Sequence, residues 1–549
     1  MHGTRGRIEP VTAAANAALS KVDDRLDQIQ NSIAALTQQV YSIANPGSSH
    51  EFTADYTYSP SNASTFDSRP RIGGPRYGTA NSTRPYGHRM PNLMTFLAPP
   101  SLVDFSYDNG SQFYTGEVAQ GDILYASIEQ ALMNHVHADF SPQTCWRLQR
   151  AFVSGLLRWM PLIDDETCFQ HVQAASVSNY SDKSISSCLA LLVFAIGAMA
   201  VDGHLYHEDP RQLPGFEYFV LSYEILRETR LPMGDINVLQ CRTLLAVYLC
   251  FAMRPVQSWN EINKTSRECM IMLRTNWTAR GGVDADMKGR TFWMAYVIEN
   301  ELEVCLELPS SGMRAFQETL SLPTSSVDEE GLYYFLALIS LRKLLVEVIE
   351  TIGFKSGRAI YAPIVAVELR NQIRSWHEHL PTSLRFTLDA TPLFDLRKAY
   401  LRSQWFCLSS VIYWPFVLRH VENLAAAAEG DQMVLEEELN ERAAVHERAK
   451  ECVEFCVLHL RASEGIMMQK TFVSHSSIRA FYAIAMGLLL AYQPVYNCAP
   501  PSDIVLVFER SLVILGLWDN VPFMKEPLKR IHHFAEEAGW FQTRPQIPG

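Results

Sequence analysis

No apolar run in this 549-residue chain is long enough to cross a bilayer, no cysteine precedes Cys145, and acidic residues outnumber basic ones, 59 to 47. The longest apolar stretches, Cys188 to Val201 and Ala480 to Tyr492, fall short of the ~20 residues a spanning helix needs, so buried helices and no membrane contact are expected. The start, MHGTRGRIEP, lacks the apolar core of a signal peptide, and no secretory route is expected. A formal net charge of -12 excludes a surface that binds nucleic acid generally, because phosphate neutralisation takes concentrated Lys and Arg. Any DNA contact is expected to be local or borrowed. The eleven cysteines are odd in number and scattered, which predicts reduced intracellular thiols and no disulfide framework.

Catalytic signatures are missing as well. There is no GxSxG, no P-loop and no GxGxxG after a strand. Asp164-Asp165-Glu166 opens like a magnesium-binding DDxxD helix, but the fifth position is Cys168. An acidic first turn, favoured by the helix dipole, explains these residues without a metal. His204 and His207, followed by Glu208 and Asp209, are the densest set of metal-ligand types. They fall in an inter-helix loop without the i, i+4 frame that fixes two histidines of a zinc helix, so a polar loop is expected. His135 and His137, two apart on an expected helix, point in different directions. Cys452 and Cys456 share a helix face and are expected to be core. No catalytic, metal or cofactor residue is assigned. An all-α enzyme of secondary metabolism, with a metal at His204 and His207, is the alternative reading.

What is present divides the chain in five. After a tail (1–14), Leu19, Val22, Leu26, Ile29, Ile33, Leu36 and Val40 alternate spacings of three and four within 15–41. That pattern predicts a short parallel coiled coil and a homodimer. From 42 to 118 the composition turns to Pro, Gly, Ser, Asn, Tyr and Arg without periodicity, as in a disordered linker. Its end, LVDFSYDNGSQFY, has the mix of acids and aromatics of an activation segment. From 119 to 542 helical periodicity dominates and a large all-α domain is expected, followed by a tail (543–549). Expected helices include Asp122 to His137, Thr144 to Met160, Trp259 to Leu273, Met287 to Leu306 and Arg397 to Leu424. On the helix before Leu308-Pro309, Phe292 and Tyr296 lie four apart, as do Trp293 and Val297, so aromatic bodies are expected to stack along one face.

Read in order, LALLVFAIGAMA (189–200), FEYFVLSYEIL (216–226), VLQCRTLLAVYLCFAMRPVQSWNEI (238–262), RTFWMAYVIENELEVCLELPSSG (290–312) and SLP (321–323) resemble the regulatory domain of fungal zinc-cluster transcription factors. Trp376 with Leu380-Pro381 and LRSQWFCLSSVIYWPF (401–416) fit the same family. The positions that carry the motif are Arg290, Phe292, Trp293, Tyr296, Glu299, Leu308, Pro309, Ser311 and Gly312. The resemblance implies a nuclear regulator of a metabolic or secondary-metabolite gene set, contacts with the transcription machinery and a small-molecule effector. It implies packing and capping as the main role of the motif residues. In that family a six-cysteine, two-zinc cluster precedes the coiled coil and reads DNA. Residues 1–144 contain no thiolate to build one, so zinc is expected only if such a segment lies upstream. Truncation, a misassigned start, or an adaptor whose partner supplies the DNA contact each explain the difference.

Overall fold

Apolar residues at helical spacing, with almost no strand alternation, fold into fifteen α-helices among the described residues of the computed structural model. Those residues are 109–228, 234–274, 283–306, 308–324, 331–352, 354–355, 358–429, 436–491 and 504–537. The heptad segment and most of the linker lie outside them. The helices are α1 (Asn109–Met133), α2 (Pro142–Phe152), α3 (Asp165–Ser176), α4 (Ile185–Val201), α5 (Phe216–Glu228), α6 (Ile236–Phe251), α7 (Pro255–Arg274) and α8 (Val283–Leu306). They continue as α9 (Leu332–Ile352), α10 (Pro363–Glu378), α11 (Leu396–Glu429), α12 (Glu436–Met467), α13 (Ser474–Ala491), α14 (Ile504–Gly516) and α15 (Lys525–Glu537). A two-residue antiparallel pairing, Phe354 with Ala359 and Lys355 with Arg358, sits between α9 and α10 and does not alter the all-α class. Among the described residues no helix is long and apolar enough to cross a membrane.

Two helices are enclosed. In α4 the sequence is apolar on every side, and each residue from Cys188 to Ile196 has 0% exposure. Its start is fixed by Ser184, whose side chain accepts from the Ser187 amide at 3.1 Å. The helices α2, α3, α5 and α6 pack around it. At Gly197 the approach is closest: a Cβ there would stand 2.1 Å from the Leu148 carbonyl oxygen of α2. The second enclosed helix, α8, is surrounded by α6, α7, α9 and α13. Beyond it α11 and α12 run antiparallel, tied where His459 Nδ1 meets the Ser403 carbonyl at 2.9 Å and Cys452 Sγ donates to the Ser410 carbonyl at 3.3 Å.

Several expected boundaries move, for identifiable reasons. The acidic turn at Asp164 caps α3, its carboxylate accepting from the Thr167 amide at 2.7 Å, as the dipole argument requires. Helix α1 starts at Asn109, so residues 109–118, read as the end of the linker, are helical. It stops at Met133, which leaves His135 and His137 beyond the helix and exposed. The stretch expected as one helix to Met160 passes at Val153–Leu157 into a π turn. Helix α7 begins at Pro255, ahead of the expected Trp259, because its free amides find a distant cap. The buried Glu117 of α1 accepts from the amides of Val256 and Gln257 at 2.8 and 3.1 Å.

Candidate regulatory site

The motif residues line α8 and bind the chain that follows it. Arg290 donates to Asp286 at 2.6 Å, to the Pro161 carbonyl at 3.2 Å and to the Thr324 carbonyl at 3.2 Å. One turn on, Trp293 Nε1 donates to the Ser321 carbonyl at 3.0 Å. Next, the Tyr296 hydroxyl donates to Gln317 Oε1 at 2.9 Å, and Glu299 Oε1 accepts from the Ser311 amide at 2.7 Å. Helix positions 290, 293, 296 and 299 thus meet chain positions 324, 321, 317 and 311 in antiparallel order. The reversal is made by Leu308 to Gly312; Gly312 has φ +92°, a left-handed value that suits glycine. Pro309 and Gly312 are exposed, while Leu308 and Ser311 are half-buried.

Phe292, Trp293 and Tyr296 are fully buried, and so is the whole turn between them. The expected stacking of Phe292 on Tyr296 is replaced by edge contacts through Trp293, with ring centroids 5.3 Å apart on either side. The reason is enclosure: with neighbours all round, α8 has no single aromatic face.

Below the ladder lies a buried polar cluster that sequence patterns gave no reason to single out. Glu301 Oε1 accepts from the Tyr400 hydroxyl at 2.5 Å and from Ser476, and Glu301 Oε2 is 3.1 Å from Arg342 Nη2. Burial works against the Arg342 charge, but the Glu301 carboxylate and Tyr400 outweigh it and raise its pKa. In the sequence Glu301 stands between Glu299 and Glu303, acids that punctuate the aromatic helix. Its partners come from α9, α11 and α13, which no local pattern connects. A small cavity adjoins the cluster and is walled in part by Val304, Leu345 and Ile349. Its two cysteines, Cys305 and Cys407, are inert lining, since burial pushes each thiol up to about 12.

One turn from Glu299 on α8, burial first and then the Glu299 charge push the Glu303 carboxyl well above its usual range. Burial likewise raises Glu117 to about 7. His459 and His475 go the other way, held by burial at about 4. For the two acids, stability is full below their ordinary value near 4.5 and is lost as pH rises through the folded value. For the two histidines, it is full above 6.5 and lost as pH falls toward 4. Stability measured by urea titration is therefore expected to fall on both sides, by about 1–2 kcal/mol between pH 6.5 and 8 and again below pH 4.5. A flat profile across pH 4 to 8 would contradict this.

His204 and His207 come together with Asp202, through His204 Nδ1 at 3.0 Å and His207 Nε2 at 2.8 Å. The same carboxylate is also bonded by the buried Lys470. Although burial opposes it, Lys470 and the two imidazoles hold Asp202 well below the usual carboxylate range. The ammonium already supplies the cation there, so the group is a hydrogen-bonded loop clasp and does not suit a metal. The ten described cysteines are all buried and none is in a disulfide, Cys452 and Cys456 among them.

Residues 150–336 match the family described as the fungal specific transcription factor domain. Across 278 residues the chain is 27% identical to a curated protein of Aspergillus rugulosus named as putative transcription factor ecdB, covering 45% of this chain and 48% of that one. The chain therefore spans about half the length of the curated relative it matches. No solved structure matches it. The ladder from Arg290 to Thr324 falls wholly within the matched residues.

Proposed function

We propose, for a chain that carries a fungal specific transcription factor domain over residues 150–336, that it works as a nuclear regulator of transcription for a metabolic or secondary-metabolite gene set. The observation that carries this reading is the domain match. The relative's printed name as a transcription factor supports it, and both point to a regulator rather than an enzyme. In this reading residues 119–542 are the regulatory domain, 42–118 tether it, and 15–41 pair two copies. DNA contact comes from a zinc-cluster module outside these 549 residues or from a partner, consistent with the acidic net charge and the lack of cysteine before Cys145. A small-molecule effector biases the helical domain between two packings by its differential affinity for them.

Deleting the gene is expected to change the transcripts of a bounded set of genes, and a tagged protein to concentrate in nuclei. A cytosolic protein whose loss leaves the transcriptome unchanged would refute the reading. The pairing segment has its own test. Changing Ile29 and Ile33 to Asp places unpaired charges in the seam and is expected to turn dimers into monomers by light scattering. An unaltered dimer would show that Leu19 to Val40 is not the interface.

A further inference from the structure

The joint between α1 and α7 holds more donors than its occupant uses. The amides of Val256 and Gln257, at the start of α7, both donate to one oxygen of Glu117, at 2.8 and 3.1 Å. Arg254, the residue just before that helix, is 2% exposed, and its Nη1 has no hydrogen-bond partner among the described residues. Glu117 Oε2 has none among them either, although the carboxylate and the guanidinium lie close enough for each to act on the other's charge. One planar carboxylate on a short tether thus reaches the amides and misses the guanidinium. A buried, unpaired donor on a permanently charged group is costly, and helix-start amides beside an arginine suit an oxyanion. Glu117 is also a weak occupant. Burial raises its carboxyl to about 7, so near neutral pH much of it is uncharged, whereas a phosphomonoester carries roughly -1.5 to -2 charges there. The helix that presents it is weak at that end: Gly110, Gly116 and Gly121 fall in the first half of α1, each roughly 1 kcal/mol less favourable in a helix than alanine.

We propose that the start of α7, with Arg254, is a binding site for a tetrahedral oxyanion, inorganic phosphate or a phosphomonoester, and that Glu117 fills it as a tethered stand-in. Each amide has one hydrogen to give, so Glu117 and a free anion exclude one another, and binding lifts the first half of α1 away from α7. Oxygens arranged as a tetrahedron meet both amides and the guanidinium at once, which the carboxylate held through Oε1 does not. Release of α1 frees the border between the linker and the helical domain. The use of that release as a switch rests on the regulatory reading, whereas the binding does not.

The test titrates the full chain with sodium phosphate by calorimetry at constant ionic strength, with chloride as the control, and follows amide hydrogen exchange in α1. Phosphate is expected to speed exchange at residues 109–121 of the wild type and to leave α4 unchanged. Glu117→Ala removes the stand-in and is expected to bind phosphate about tenfold more tightly than the wild type; adding Arg254→Gln is expected to take that gain away. If Glu117→Ala does not fold, Glu117→Gln, which keeps the shape and removes the charge, decides. Phosphoserine separates the two sources: tighter binding than phosphate assigns a phosphomonoester, weaker binding assigns the free ion. The proposal is overturned if the folded Glu117 variant binds phosphate no more tightly than the wild type, if chloride acts as phosphate does, or if Arg254→Gln in that background leaves the affinity unchanged. Binding in the expected pattern beside an unchanged transcriptome would remove the regulatory reading and leave the site. A transcriptional response with no phosphate binding would do the reverse.

Discussion

Replacing Gly197 with alanine is expected to cost about 3 kcal/mol or more, lowering the urea midpoint far more than a surface change does. The methyl group would stand 2.1 Å from the Leu148 carbonyl oxygen and 2.8 Å from its carbon. These are backbone atoms of α2, which cannot rotate away as a side chain can, so α2 and α4 must move apart. Both lie in a close-packed interior, and the separation would propagate to α3, α5 and α6. Gly289 provides the opposite control. It is also within a helix, α8, but an added Cβ meets nothing within 4 Å. Gly289→Ala is expected to stabilise by roughly 0.5–1 kcal/mol through helix propensity alone. Equal effects at the two positions would refute the close crossing of α2 and α4.

The second large effect is expected at the buried ion pair. Arg342→Met leaves Glu301 enclosed with only hydroxyl donors and is expected to cost roughly 3–5 kcal/mol. Glu301→Leu strands the Arg342 guanidinium at a similar cost. The double variant Glu301→Leu with Arg342→Met removes both charges and is expected to recover most of either loss, since a well-packed apolar pair often matches a buried ion pair. Chemical denaturation of the four proteins gives the coupling directly. Additive losses would show that the two side chains do not act as a unit.

The fold was legible where one segment carries the whole signal. Continuous apolar sequence marked α4, and Pro309 with Gly312 marked the end of α8. Boundaries were illegible where a distant residue supplies a cap. The start of α7 depends on Glu117, 139 positions earlier, and no spacing rule reaches that far. The site divides in the same way. The motif residues could be named, Ser311 among them, but that they pair with Gln317, Ser321 and Thr324 could not, because those partners lie on chain without a period to read. The cluster around Glu301 draws on four helices, and an acid next to apolar neighbours says only that a partner exists. The histidine loop was legible as a loop, though Lys470, which decides its chemistry, lies 268 positions away.

The order of the ladder on α8 bears on the route by which this region forms. Its innermost rung, Glu299 with Ser311, closes only 12 positions, while the outermost, Asp286 with the Thr324 amide at 2.7 Å, closes 38. Each doubling of an open loop adds roughly 0.6 kcal/mol of closure entropy, so the inner rung forms at the lowest cost and each later rung closes a loop already shortened. The region is thus built to zip from the Gly312 turn outward. Weakening Glu299 is then expected to slow folding, and weakening Asp286 mainly to speed unfolding.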